Sequence, residues 1–250
     1  MGSATVIPVE GLPEVTPNFS IGKAIAGQTP LEDGDIVAIS QKIVSKSEGR
    51  VVRIGETEPG PEAAGLAART GKDPRLVQHI IDESRSVIRV DEQRGILITE
   101  TRHGFICANA GIDQSNTAAE DEAILLPLDP DGSARRIRLE LGTASPVRTA
   151  VLITDSFGRA WRQGQVEVAI GCAGIQPLDD WRGEKDQRGR ELSATVIGLA
   201  DQLAAASDLV RSKTDGVPAV IIRGLGHFVT TEDGPGCAAQ LREPADDLFR

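Results

Sequence analysis

Three short stretches bring together residue types that handle phosphate and hard cations. Ala150-Val-Leu-Ile-Thr-Asp155-Ser156-Phe-Gly-Arg159 is an apolar strand pattern ending in an acid and a hydroxyl, with Arg159 and Arg162 adding phosphate-directed donors nearby. An aspartate and a serine at the C-terminal end of a strand suit the presentation of Mg2+ or Mn2+ to a phosphate. A strand end followed by a capping turn is the plainer reading, and the two arginines tip the balance towards chemistry. In Asn109-Ala-Gly-Ile-Asp-Gln-Ser-Asn116, Asp113 could ligate a hard cation, and Asn116 offers both donor and acceptor to a nucleotide or sugar. Taken alone, that run reads as an Asx-turn whose side chains bond their own backbone. In Ile39-Ser-Gln-Lys42-Ile-Val-Ser45-Lys46-Ser-Glu-Gly49-Arg50, three cations recur at four-residue spacing directly after a strand. If the stretch is helical, Lys42, Lys46 and Arg50 share one face, either as a claw for phosphate or as a solvated surface.

The elements that must position these groups follow from hydrophobic patterning. Runs rich in Val and Ile, bounded by Gly, Pro or Asp, predict strands at Thr5–Val9, Asp35–Ser40, Gly49–Ile54, Ser86–Val90, Gly95–Thr99, Gly104–Ile112, Ala123–Leu128, Arg148–Asp155, Val166–Ile175 and Ala219–Arg223. Helical patterns occupy Phe19–Gly27, Pro61–Thr70, Pro74–Ser84, Ser133–Leu141 and Ser193–Val210, with Gly71 and Gly142 where C-caps would stand. The two kinds of element do not alternate regularly, which predicts a mixed α+β fold rather than a doubly wound sheet. Loops are expected at Gly55–Pro61, Gly142–Pro146, Asp179–Gly189 and His227–Gly236. The third is dense in charge, a solvated loop or an anion-handling lid.

Composition narrows the function classes. A chain of 250 residues is long enough to bury roughly 70–75% of its unfolded surface without a disulfide or metal staple. Thirty-seven acids against 27 bases leave a net charge of −10, and aromatics are only 3%. Both oppose nucleic acid, and the charge opposes an anionic membrane; no apolar run is long enough to span one. Cys107, Cys172 and Cys237 lack C-x-x-C spacing, and the N-terminus lacks a basic, then apolar, secretory pattern. A cytoplasmic protein with reduced, buried thiols is expected. There is no phosphate loop of the G-x-x-x-x-G-K-[ST] type, no G-x-G-x-x-G, no H-E-x-x-H and no G-x-S-x-G, and His79, His103 and His227 lie far apart. Nothing calls for a serine hydrolase or a zinc enzyme.

Several segments together resemble one family, the coenzyme F-420-0:L-glutamate ligases, also called F-420:γ-glutamyl ligases. They are Val9-Glu-Gly-Leu-Pro13, Leu31-Glu-Asp-Gly-Asp35, the stretch Ser40–Arg50, the stretch Thr101–Asn116, Leu126-Pro-Leu-Asp-Pro-Asp-Gly-Ser-Ala134, Thr154-Asp-Ser-Phe-Gly-Arg159, Trp181-Arg-Gly-Glu-Lys-Asp186, Gly189-Arg-Glu-Leu192 and Asp215-Gly-Val-Pro218. They run in the family's order from residue 5 to about 225, and the tail over 226–250 matches poorly. The resemblance implies a single ligase domain over 1–250 with a mixed-sheet α+β fold, assembled as an intertwined homodimer. The chain stops too soon for the C-terminal flavin-binding domain fused to some members.

The activity implied is GTP-dependent joining of L-glutamate to F-420-0 through an amide, followed by a γ-linked tail. The cofactors implied are two divalent cations per site, Mg2+ or Mn2+, and K+. Carried over by motif, Gly11, Leu12, Pro13 and Glu14 would line the nucleotide, Gln41, Lys42 and Lys46 would add polar and cationic contacts, and Asn116 would bond GTP. Asp113 and Asp155, the residues expected to be essential for catalysis, would hold the first metal, and Ser156 would contact the second. The region Val210–Val217, with Ser212, Lys213 and Thr214, would close over the nucleotide. Arg182, Lys185 and Arg188 are candidates for the glutamate or its growing tail. A metal-dependent phosphotransferase or phosphohydrolase using the same carboxylates, and a non-catalytic nucleotide- or deazaflavin-binding module, are the competing readings.

Overall fold

The computed structural model describes residues 2–211 and 216–247, so Ser212, Lys213 and Thr214 lie outside the described residues. In chain order the elements are β1 (Thr5–Val9), α1 (Ile21–Gln28), β2 (Asp35–Ser40), α2 (Gln41–Ser47), β3 (Val51–Arg53), α3 (Pro61–Thr70), α4 (Pro74–Asp82), β4 (Ser84–Asp91), β5 (Ile96–Thr101) and β6 (Ile106–Ala108). They continue with β7 (Glu122–Ile124), α5 (Pro130–Ala144), β8 (Thr149–Arg159), β9 (Arg162–Ala173), β10 (Leu178–Asp180), β11 (Val196–Gly198), α6 (Leu199–Asp208) and β12 (Ala219–Arg223). Among the described residues the largest sheet has the order β1-β12-β2-β8-β9. Only β2 and β8 run parallel in it; the other neighbours are antiparallel. The fold is therefore mixed α and β on a mixed sheet, as the irregular alternation of elements predicts.

Strand alternation sorts the core into two layers. On β2, Val37 and Ile39 join Val151 and Ile153 of β8 against α1 and α5, while Ile36 and Ala38 join Ala150 and Leu152 against α6. Because both faces are covered, these strands read as continuous apolar runs. A third, smaller core lies under α3 and α4, where Leu66, Val77, Ile80 and Leu97 pack together beside the antiparallel β4-β5-β6 sheet.

Several boundaries depart from the sequence reading for local reasons. Gly71 does close α3 in the left-handed conformation (φ 69°), but Gly142 lies inside α5, which runs on to Ala144. The helix ends where Ser145, forced out of the helical region by the following Pro146, turns extended (φ −141°, ψ 109°). The expected helix from Ser193 starts only at Leu199, because Val196–Gly198 pairs instead with Leu178–Asp180. The expected strand Gly104–Ile112 stops at Ala108, where Asn109, Ala110 and Gly111 take consecutive left-handed conformations (φ 53°, 55° and 70°). At Gly111 a Cβ would lie 2.8 Å from Leu126 Cδ1, so the turn needs glycine there for space as well as dihedral.

The strand expected to end at Asp155 continues to Arg159 and returns as β9, making a long hairpin. Its inner half belongs to the core, and its outer turn is exposed, with Trp161 at 87%. A bulge separates the halves: Ile153 pairs with Gly171, but Thr154 pairs with Ala169, leaving Ile170 as the extra residue.

The C-terminal segment is clasped to this frame by Asp131. Its carboxylate accepts backbone N–H bonds from Cys172 of β9 (2.8 Å), Cys237 (2.7 Å) and Ala238 (3.3 Å). Leaving a buried amide without its acceptor costs about 1–3 kcal/mol. Asp131→Ala is therefore expected to lower unfolding stability in urea by more than about 2 kcal/mol. A loss within the error of the extrapolation would show that this clasp contributes nothing.

Candidate functional site

The C-terminal ends of the parallel neighbours β2 and β8 open into a cleft of about 420 Å³. Ligands gather at such ends because the strands diverge into loops there. The cleft is lined by Leu12, Pro13 and Glu14 after β1, by Lys42 and Lys46 on α2, by Asp113, Ser115 and Asn116, by Asp155 and Ser156 on β8, by Gln165 and Glu167 on β9, by Asp208 at the end of α6 and Arg211 just past it, and by Gly216, Val217 and Pro218 before β12. Described residues from seven separate stretches of chain thus meet at one place.

Each wall has a local cause. Helix α2 follows β2 without a linker, so Lys42 and Lys46, one turn apart, both face the cleft. Arg50 does not share that face: Gly49 (φ 68°) ends the helix, and Arg50 bonds Glu83 (2.6 Å) and the Leu126 carbonyl (3.0 Å). The left-handed turn at Asn109–Gly111 redirects the chain after β6, and a two-bond bridge between Asp113 and Ile124 fixes the backbone of Asp113. Ala110 is strained in that turn, the kind of conformation the surroundings must enforce. The Asp113 carboxylate does two things at once. Oδ1 accepts the Ser115 N–H (2.6 Å) in an Asx-turn, and Oδ2 meets Lys42 Nζ at 2.9 Å. Lys46 pairs with Glu14.

The electrostatics are those of crowded carboxylates. Burial pushes the Asp155 carboxyl up to about 8, with the charges of Glu167 and Asp113 adding to the shift and a hydrogen bond from the Ser156 N–H opposing it. At Asp113 burial acts upwards too, but hydrogen bonds from Lys42 and Ser115 outweigh it and the carboxyl lies below its ordinary value. Arg211 is held below the usual guanidinium range by burial, partly offset by Glu167 and Asp208. Glu167 and Arg211 form an ion pair at 3.4 Å with side chains only 5% and 6% exposed. A carboxyl held protonated by burial and by neighbouring charge, as that of Asp155 is, gains from a hard dication that offsets both. Asp113, Asp155 and Ser156 offer oxygen donors of that kind to the cleft.

The structure brings Leu12, Pro13, Glu14, Lys42, Lys46, Asn116, Asp113, Asp155 and Ser156 together. It leaves others outside the lining. Gly11 uses its carbonyl to accept from Gln28 (3.1 Å). Gln41 is buried in α2, where its Oε1 accepts from Ser45 and its Nε2 has no partner. Arg159 and Arg162 sit at the exposed hairpin turn, Arg159 bonding the Gln163 carbonyl. Arg182, Lys185 and Arg188 belong to the segment between β10 and β11, with Arg182 paired to Asp180.

Glu167 was not anticipated, and Arg211 only as part of the region Val210–Val217, whose described residues Arg211, Gly216 and Val217 line the cleft. Glu167 is the cross-strand partner of Ser156, a relation that becomes visible only once the strands are extended into one hairpin.

Elsewhere among the described residues, Asp131, Cys172 and Cys237 place donor atoms within 4.8 Å of one another. The Asp131 oxygens are already occupied by three backbone amides. Contact with Cys172, together with burial, pushes the Cys237 thiol up. The trio is a packing element.

The sequence profile described as "F420-0:Gamma-glutamyl ligase" matches residues 11–224. Proteins named "Coenzyme F420:L-glutamate ligase" are similar along the whole chain. The one from Methanopyrus kandleri is 45% identical over 255 residues, covering 100% of both chains. That from Methanothermobacter thermautotrophicus is 46% identical over 252 residues, 98% of each. That from Methanocaldococcus jannaschii is 43% identical over 227 residues, 90% of this chain and 88% of its own.

The raised Asp155 carboxyl sets a pH dependence for metal-free protein. An unfolded aspartate titrates near about 3.9, whereas folded Asp155 holds its proton to about 8. Between those values the folded state binds more protons than the unfolded one, so stability falls as pH rises and levels off above the folded value. In chelator, Asp155→Asn is therefore expected to melt higher than the unsubstituted protein at pH 8, with the gap closing towards pH 4. Parallel melting curves across that range would show that Asp155 is not buried against charge.

Proposed function

The chain belongs to the F420-0:Gamma-glutamyl ligase family, and from that premise we propose that it joins L-glutamate to coenzyme F-420-0 through an amide, using GTP, and then extends a γ-linked glutamate tail. The observation that carries this reading is the meeting of the half-buried Asp113 and Asp155 and the buried Glu167 with Lys42, Lys46 and Arg211 in one cleft at the end of a parallel strand pair. That combination suits a polyphosphate in an otherwise acidic protein.

A carboxylate does not condense with an amine in water at useful rates, so it must first be activated. In the proposed route a carboxylate oxygen of F-420-0 attacks the γ-phosphorus of GTP, and the bond from that phosphorus to the bridging oxygen breaks with its electrons leaving on GDP. The neutral amine of glutamate then attacks the acyl carbon, inorganic phosphate departs with the C–O electron pair, and the amine proton passes to solvent. Both steps demand alignment and charge neutralisation rather than a protein nucleophile. The absence of a serine-histidine pair from the cleft accords with that demand.

The residues divide the work. Leu12, Pro13 and Glu14 wall the nucleotide side, and Asn116 offers its amide to GTP. Asp113, Asp155 and Ser156 would hold the divalent cations, whose chemistry when bound is to neutralise charge on phosphoryl oxygens. Lys42, now paired with Asp113, is placed to turn to a phosphate once that carboxylate serves a cation. K+ as a further cofactor and a cytoplasmic location complete the reading. An intertwined homodimer is part of the same proposal.

Mass spectrometry of F-420-0 incubated with the protein, L-glutamate, GTP and Mn2+ is expected to give a ladder rising by glutamate units only in the complete mixture. GDP formed without glutamate, and no ladder, would replace the ligase with a phosphohydrolase. Nucleotide binding with neither product would leave a binding module. Asp113→Ala and Asp155→Ala should each lower turnover by at least about 100-fold, the scale of losing a preorganised electrostatic contact, with the circular dichroism of the folded chain retained.

A further inference from the structure

A serine hydroxyl has one proton, and at Ser156 that proton is committed. Ser156 and Glu167 face each other across the β8–β9 ladder, and Ser156 Oγ donates to Glu167 Oε1. The other carboxylate oxygen of Glu167 faces Arg211 Nη1 at 3.4 Å. Arg211 is itself fixed, donating from Nη1 to Thr154 Oγ1 (2.9 Å) and from Nη2 to Ser207 Oγ (3.1 Å). A carboxylate paired with a guanidinium only accepts, so the Ser156 proton points at Glu167 and the oxygen lone pairs point away from it. Ser156 lines the cleft next to Asp155.

We infer that Glu167, locked in place by Arg211, is a positioning residue that holds the Ser156 hydroxyl with its oxygen turned to the cleft as a donor for a hard cation. The inference rests on the reading above that a divalent cation is bound by Asp113, Asp155 and Ser156. A hydroxyl without such a partner can rotate its proton towards the cation, where it repels, or towards the Asp155 carboxylate, where it takes an acceptor the cation needs. Orienting partners of this kind commonly matter to a metal site nearly as much as the ligands do. The ion pair also eases a charge problem: Arg211 partly offsets Glu167, whose charge still acts on Asp155.

A brace between β9 and the end of α6 would use the same ion pair, so the test must separate positioning from bracing. Mn2+ alone is titrated into metal-free protein and followed by the electron paramagnetic resonance of the unbound ion. The proteins compared are the unsubstituted chain, Ser156→Ala, Glu167→Gln and the double variant, with melting curves for each. The expected result is Mn2+ binding weakened about 10-fold or more by either single change, on the scale of removing an orienting partner, and a double variant no weaker than the worse single one. If Glu167 acts through Ser156, nothing remains for it to do once the hydroxyl is gone. Additive losses, or a Glu167→Gln variant that binds like the unsubstituted chain while Ser156→Ala is impaired, would overturn the inference and leave the cation site standing. An unsubstituted chain that binds no Mn2+, with or without GTP, would remove the cation reading and this inference with it. Should Glu167→Gln fold poorly because Arg211 is stranded, Glu167→Gln combined with Arg211→Met removes the stranded charge and is read in the same titration against the same outcomes.

Discussion

The cleft depends on keeping three acidic side chains close together in a partly dehydrated place. Asp113, Asp155 and Glu167 would not share that volume unaided, since each buried charge raises the free energy of the next. Two of them are paired with cations from different parts of the chain, Asp113 with Lys42 and Glu167 with Arg211, and Lys46 pairs with Glu14 at the rim. Among the described residues Asp155 has no salt bridge, the Lys42 charge offsets it only in part, and its carboxyl is pushed up to about 8. An acidic chain with a net charge of −10 thus concentrates much of its useful positive charge where a polyphosphate would sit. The imbalance at Asp155 is where a dication has most to relieve.

This balance explains why the frame is built as it is. The parallel pair β2 and β8 delivers Ser40 and Thr154 side by side, and the chain beyond each supplies a charged wall: α2 with its lysines, and the outer hairpin with Asp155 and Ser156. Apolar layers on both faces of the sheet hold these ends rigidly. The third wall, Asp113 to Asn116, comes from a strained left-handed turn held by a backbone bridge to Ile124. Strain there is tolerable because the bridge and the packing of Gly111 on Leu126 determine the turn from both sides.

Much of this was legible in the residues. β1, β2, β12 and α3 fall where their patterns place them, because apolar runs bounded by Gly, Pro and Asp leave little choice. The motifs around Asp113, Lys42 and Asp155 stand out by residue type and spacing alone, and all three meet in the cleft. What was not legible depended on pairing. Val196–Gly198 looks like the start of a helix until a partner strand claims it, and Arg50 looks like part of a cationic face until Gly49 turns it towards Glu83. Glu167 was missed because a carboxylate in a strand carries no signal of its own. Its meaning comes from the residue opposite, and hence from the register of a long hairpin.

That register turns on the bulge at Ile170. Inside it, partners on β8 and β9 have residue numbers that sum to 324, as Ile153 and Gly171 do; beyond it the sum is 323, as for Thr154 and Ala169. Were the same residues paired without the bulge, in the inner register throughout, Ser156 would face Val168 rather than Glu167. The polar clasp is therefore encoded by the length of β9 as much as by the identity of any side chain. A relative that kept the bulge but lacked one residue between it and Glu167 could keep serine, glutamate and arginine in its sequence and still place an apolar side chain, that of Val166, against the hydroxyl. Divergence of this kind leaves every recognisable motif intact, so that counting residues between motifs, rather than comparing the motifs themselves, becomes the informative measure of whether two such chains share a working site.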